Sequence, residues 1–282
     1  MTPYRLRVDQ PIDLEAALCG GQAFRWVQEG DGWFIGVLDN NVVRLRAVKD
    51  GVEVESAPDG PEALALALAD YLRLDDDLPA IHRGLSADAQ VSAAIRKYPG
   101  LRLLRQDPWE CLVSFICSSN SSIRQIGRTL ERMAHAYGES RRLGALERHT
   151  FPSPERLASV GETGLRALGA GFRAEYIAAA AQMVASGGLD VAGLRLRPYN
   201  EARAALLGVP GVGPKVAECV LLFSMDKLDA FPVDRWVRRA LEEWYGVRRL
   251  KPPELRAWAL ERFGPYAGYA NQYLFHHRRL AV

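Results

Sequence analysis

The hydrophobic pattern of this chain changes period once. Between residues 22 and 56 it has the period of strands. In NVVRLRAV (41–48), Val43, Leu45 and Ala47 alternate with Arg44 and Arg46, as in a half-buried strand. DNN (39–41) and KDG (49–51) supply turn chemistry on either side. Before them, IDLEAALCGG (12–21) predicts a short helix, with Asp13 as N-cap and Gly20 or Gly21 as its stop. From Pro61 onward the pattern is helical almost without relief. DPWECLVSFICSS (107–119) opens with Asp107 as N-cap, Pro108 at N1 and Glu110 at N3, a capping-box arrangement. SPERLASV repeats that grammar at Ser153 and Pro154. Further helices are predicted over 122–136, 174–186, 200–207, 214–225, 235–244, 253–263 and 265–278. The fold class expected is α+β. A small N-terminal antiparallel β-sheet domain with flanking helices (1–95) precedes a mostly α-helical domain (96–282), with a helix–turn–helix near 200–225.

Composition narrows the picture a little. Nearly half of the 282 residues are apolar and a quarter are charged, as in ordinary globular proteins. A net charge of +2 is too small to argue for a polyanion partner. Cys19, Cys111, Cys117 and Cys219 are scattered, without C-x-x-C or Cys/His ligand spacing. That speaks against a structural zinc or an iron–sulfur cluster and for a reducing compartment. MTPYRLRVDQ lacks the apolar stretch of a signal peptide, and no apolar run reaches transmembrane length. The expectation is an intracellular, monomeric protein with no membrane partner.

The candidate chemistry lies in NEARAALLGVPGVGPKVAECVLLFS (200–224), which reads as helix, tight turn, helix. Glycines 208, 211 and 213 permit backbone conformations that other residues resist. Backbone N–H groups of Gly211, Gly213 and the next helix N-terminus can converge on a phosphate, a grip that reads no sequence and suits DNA. The plainer alternative is an ordinary corner between packed helices. Directly after this turn stands Lys215, one of five lysines among 36 basic residues. Lysine, unlike arginine, can act as a nucleophile when desolvated. The first turn of a helix disfavours an ammonium there; the competing possibility is a lysine snorkelling at a helix end. By helical spacing Lys215, Cys219 and Leu222 share one face. Asp234, in FPVDRWV, lies nineteen residues on and is also a good N-cap for the helix that follows.

These residues carry a resemblance. VPGVGPK followed by FPVD resembles the helix–hairpin–helix DNA glycosylase superfamily in its lysine-bearing, bifunctional form. GGQAFRW (20–26), LRQDPWECLVSFICSSNSSI (104–123), LGAGFRAEYI (168–177) and GPYAGYANQYLF (264–275) are similar to segments of the 8-oxoguanine DNA glycosylase family. The resemblance implies a DNA glycosylase and AP lyase that acts on double-stranded DNA containing 8-oxoguanine, with no metal or cofactor. It implies that Lys215 is the nucleophile and Asp234 its catalytic carboxylate. Gly21 would offer its carbonyl to the N7 hydrogen that 8-oxoguanine has and guanine lacks. Cys219 and Phe275 would sandwich the base. Asn120, Phe172 and Arg173 would fill the vacated space and meet the estranged cytosine.

The chain departs from the family pattern at three points. Animal enzymes carry Gln four residues before the pocket Phe; here Asn271 stands there with Gln272 beside it, and Asn271 is the preferred reader of the base edge. Gln125 replaces an arginine that helps read the opposite cytosine, and Trp236 replaces a histidine. Two rival functions remain from the sequence: an alkylated-base glycosylase of the same superfamily, and a non-catalytic helix–hairpin–helix DNA-binding module. Lys215 speaks against the first and Asp234 against the second.

Overall fold

The computed structural model describes residues 3–281. Five antiparallel strands form one sheet: β1 (Tyr4–Arg7), β2 (Val27–Gln28), β3 (Trp33–Leu38), β4 (Asn41–Val48) and β5 (Gly51–Ala57), in the order β1-β5-β4-β3-β2. Asp39 and Asn40 turn the chain between β3 and β4 with φ of 45° and 63°, the left-handed pair that a two-residue hairpin demands. Register follows the alternation. Leu45 faces Val54, while Arg46 faces Glu53 and Arg44 faces Glu55. The apolar set (Val43, Leu45, Val52, Val54) is buried against helix α1 (Leu14–Leu18) and helix α2 (Ala65–Tyr71). On the other face Arg44 and Arg46 pair with Glu55 and Glu53 and flank the Trp33 ring. Ala47, expected inside, is exposed near the end of its strand. β1 escapes the sequence pattern: YRLR is short and buries only Leu6 of its four residues.

The rest is helical apart from one hairpin. Helices α3 (Leu78–Leu85), α4 (Ala89–Lys97), α5 (Pro108–Cys117) and α6 (Ile123–Tyr137) lead to a two-stranded hairpin of β6 (Ser140–Leu143) and β7 (Leu146–His149). That hairpin went unread in the sequence, although Gly144 at φ 59° marks its turn. Then follow α7 (Pro154–Leu165), α8 (Arg173–Ala185), α9 (Tyr199–Leu207), α10 (Pro214–Ser224), α11 (Arg235–Tyr245), α12 (Pro252–Phe263) and α13 (Ala267–Leu280). Asp13, Asp107, Ser153 and Asp234 cap their helices with side-chain oxygens as expected. The capping box at 107–110 closes on one side only, because Glu110 turns to Arg25. Among the described residues no helix is long and apolar enough to cross a membrane.

α5 and α10 pack in the centre of the helical core, eight and nine of their residues being buried. The chain between the two domains is knitted by one amide. Gln22, fully buried, donates to the carbonyls of Ala17 and Arg102 and accepts from the Leu104 N–H. Gln106 in turn donates to the Gln22 carbonyl. Every polar atom of that buried amide is thereby satisfied, and the residue after Gly21 is tied to the segment 102–106.

Candidate active site

A cavity of about 320 Å³ opens where the Gly20–Phe24 segment, α5, the loop after it, α10 and α13 meet. It lies at the small end of the range for ligand sites, about 300–1,000 Å³. Six of the residues picked from the sequence line it together: Gly21, Lys215, Cys219, Asp234, Asn271 and Phe275. A larger cavity of about 550 Å³ lies beyond Phe24, between the sheet and the start of α5; neither Lys215 nor Asp234 lines it.

Lys215 follows Pro214, which starts α10. The amine is half-buried, donates to Ser118 Oγ at 2.8 Å and stands 5.2 Å from the centre of the Phe115 ring. One turn along, Cys219 is 4% exposed. Burial pushes its thiol up to about 12, with Lys215 opposing the shift and Asp234 reinforcing it. The thiol therefore stays protonated at neutral pH, a soft apolar surface rather than a second nucleophile. Leu222, expected on this face, instead packs over Gly268, and Phe223 lines the cavity. The cavity-facing stripe is centred on Cys219, about 40° round the helix from Lys215, which leaves Phe223 nearer to that centre than Leu222.

Asp234 caps α11 through Oδ1, which accepts from the N–H groups of Trp236 (2.8 Å) and Val237 (2.9 Å). Its Oδ2 accepts no hydrogen bond among the described residues, so the carboxylate caps a helix and still offers an oxygen to the cavity. The loop that delivers it is anchored by the Asn271 amide, which donates to the Pro232 carbonyl at 2.8 Å. Gln272 is equally buried but makes one long contact, 3.5 Å to the Gly20 carbonyl.

Gly21 sits at φ 91°, and a Cβ there would meet Ile123 at 2.9 Å and the Phe275 ring at 3.0 Å. Glycine is needed for both reasons: the backbone is left-handed, and the space it leaves is part of the cavity. In the hairpin only Gly211 has that requirement, with φ 77° and the Tyr176 ring 2.3 Å from an added Cβ. Gly208 and Gly213 have ordinary φ values of −74° and −89°, so the freedom expected of them is not used. Both Gly211 and Gly213 are exposed, beside the uncapped first turn of α10.

The remaining predicted residues form a second group, outside the lining of this cavity. Asn120 is exposed at φ 50°, and Phe172 is 50% exposed. Arg173, by contrast, is buried; its guanidinium donates to the carbonyls of Ser119 and Asn120 and stacks 4.5 Å from the Phe172 ring. It braces the other two instead of reaching outward. Gln125 is exposed on α6, and Trp236 lines the cavity with Arg235 and Arg239 over its ring.

The descriptions of two family models cover nearly the whole chain: "8-oxoguanine DNA glycosylase, N-terminal domain" matches residues 5–112, and "HhH-GPD superfamily base excision DNA repair protein" matches 113–265. N-glycosylase/DNA lyase OGG1 of Arabidopsis thaliana is 36% identical over 275 residues, 90% of this chain and 74% of the relative. The chain belongs to the 8-oxoguanine DNA glycosylase family. Solved members of this family superpose closely. MBOgg1 in complex with a low-affinity DNA ligand gives a TM-score of 0.92 at 36% identity, covering 98% of this chain and 94% of the other. The Clostridium acetobutylicum 8-oxoguanine glycosylase/lyase, in complex with DNA containing cytosine opposite the lesion, gives 0.91 at 31%, covering 96% and 93%.

Two residues of this family member went unnoticed in its sequence. Ser118 touches the lysine amine. Glu218, 6% exposed on α10, accepts from Tyr199, from Arg203 and from the Phe231 N–H on the loop that leads to Asp234. Their partners lie 97 and 13 to 19 residues away, beyond the reach of any local pattern.

Proposed function

We propose that this chain releases 8-oxoguanine from double-stranded DNA and then nicks the strand at the exposed sugar, with Lys215 as nucleophile and Asp234 as its partner carboxylate. The family relationship supports the reaction class. The observation that carries the residue roles is a single one: a lysine amine and a carboxylate with a spare oxygen border one cavity of nucleobase size. DNA repair is work done wherever the DNA is, so the protein is placed inside the cell.

The duplex is held by phosphates at the exposed hairpin around Gly211 and Gly213 and at the first turn of α10, where N–H groups lack intrahelical acceptors. The damaged nucleotide swings out of the stack, and the exposed Phe172 and Asn120 occupy the space it leaves. In the cavity the base lies between Cys219 and Phe275. The Gly21 carbonyl accepts the N7 hydrogen of 8-oxoguanine; guanine would bring a lone pair against that oxygen, buried and unpaired. Asn271, its N–H spent on Pro232, turns Oδ1 to the donor edge of the base.

The amine of Lys215 then attacks C1′. The C1′–N9 bond breaks with its electron pair leaving on the base, which takes up the proton the nitrogen gives up. Positive charge that develops on the sugar faces Asp234; one preorganised carboxylate contributes several kcal/mol, on the order of 3, to such a state. Breaking C1′–O4′ gives the Schiff base, from which β-elimination expels the 3′ phosphate. Gln125, in place of arginine, gives a weaker hold on the opposite cytosine. Base release from duplexes carrying 8-oxoguanine opposite each of the four bases tests this reading: release opposite cytosine with none from undamaged duplex supports it, and release of alkylated bases alone overturns it.

A further inference from the structure

Ser118 is the residue that ends α5, and the two hydrogen bonds of its hydroxyl are ordered. Oγ donates its one hydrogen to the Phe115 carbonyl at 2.6 Å. A hydroxyl has one hydrogen and two lone pairs, so Ser118 turns only a lone pair toward Lys215 Nζ, 2.8 Å away. The serine itself is firmly seated, since the helix before it is buried along Cys111–Cys117. On another side Nζ meets the face of Phe115, which neither donates nor accepts strongly. Ser118 is thus a pure acceptor fixed against the reacting nitrogen, and it borders the same cavity as Asp234.

We infer that Ser118 is a positioning residue for the Schiff-base stage: it holds one N–H of Nζ from the free amine through to the protonated imine. The inference rests on Lys215 being the nucleophile. In the free amine, tethering one N–H to Ser118 turns the nitrogen lone pair away from the serine and into the cavity. Once the C1′–Nζ bond has formed, C1′–O4′ breaks, its pair leaving with O4′, which takes up a proton. The nitrogen is then a protonated imine with one N–H and no lone pair. An acceptor bonded to that N–H favours the charged form. The charge draws the electrons of elimination. The C2′–H pair moves into C1′=C2′ as the imine pair moves onto nitrogen and a proton departs. The pairs then return, forming C2′=C3′ as C3′–O3′ breaks, and the 3′ phosphate leaves with that pair. A residue free to donate would favour the uncharged nitrogen; Ser118 is prevented by Phe115.

The experiment compares the full-length protein with Ser118→Ala, Ser118→Cys and Ser118→Thr. Strand nicking is followed on a duplex with a preformed abasic site across a pH series. Single-turnover base release is followed on an 8-oxoguanine duplex, with thermal melting as a control. The alanine and cysteine variants are expected to nick about tenfold more slowly, the effect of one lost bond to a charged group. Base release falls less. The alkaline limb of nicking moves to lower pH, because an imine without its acceptor loses its proton more readily, and threonine restores both. An unchanged ratio of nicking to base release, with an unchanged alkaline limb, in either folded variant overturns the inference. Failure of the Lys215 reading looks different: borohydride then traps no wild-type adduct at that residue.

Discussion

Glu218 Oε2 accepts the Phe231 N–H at 3.1 Å, and that bond joins the helix of Lys215 to the loop of Asp234. Glu218 lies three residues after the lysine and Phe231 three before the aspartate. Glu218 Oε1 takes Arg203 Nε at 2.9 Å and the Tyr199 hydroxyl. The same loop is pinned again where the Gly268 N–H donates to the Leu228 carbonyl at 2.7 Å and where Asn271 holds Pro232. Amine and carboxylate are therefore placed by a buried network as well as by the helix starts on which they stand.

Replacing Glu218 by glutamine keeps the shape but turns an –NH2 toward one of three donors. Stability is expected to fall by about 2–3 kcal/mol, the cost of a buried polar group facing its like. The single-turnover rate of base release should fall with it by more than duplex affinity does, because the exposed turn at Gly211 and Gly213 makes none of these bonds. Urea unfolding and single-turnover kinetics check this. A variant destabilised but fully active would make the network a matter of folding alone.

Gly21→Ala is expected to close the cavity rather than unfold the protein. The new methyl would stand 2.9 Å from Ile123 and 3.0 Å from the Phe275 ring at a φ of 91°, which costs the fold about 1–2 kcal/mol. Base release should drop at least about a hundredfold, the effect of misplacing a reactant by an ångström. Nicking of a preformed abasic site, which has no base to house, should suffer much less. Equal losses in the two assays would argue against this placement of the base.

Acid should destabilise the protein through His276. Burial, with Arg279 adding to it, holds this imidazole down to about 4 in the folded state, against about 6.5 when unfolded. Between those values the unfolded chain takes up a proton that the folded chain refuses, so stability falls as pH drops through this window and the group's share of the loss is complete near 4. For a residue 5% exposed the sum is about 3 kcal/mol. His276→Gln should flatten the decline measured by urea unfolding at several pH values. An unchanged slope would assign the acid sensitivity elsewhere.

Much of this was legible in the sequence where the cause is local. Caps at Asp13, Asp107, Ser153 and Asp234 follow from short polar side chains before apolar periodic runs. The six cavity residues lie in the segments that carry the family resemblance: GGQAFRW, VPGVGPKVAEC, FPVD and GPYAGYANQYLF. What stayed hidden depends on partners distant in sequence. A serine at a helix end reads as a cap, and a glutamate on a helix reads as a solvated residue. Only the packing of α5 against α10, and of α9 beside them, turns Ser118 and Glu218 inward. Arg173 carries a further bond set hidden from the sequence: its guanidinium donates to the carbonyls of Ser119, Asn120 and Ala170.

The central claim is a covalent bond between Lys215 and the sugar, and borohydride reduction during turnover measures it directly. With an 8-oxoguanine duplex, the protein should become linked to DNA, peptide mapping should place the link on Lys215, and Lys215→Gln should bind the duplex without linking or nicking. A full yield of nicked product with no adduct at Lys215, or normal nicking by the glutamine variant, would contradict it.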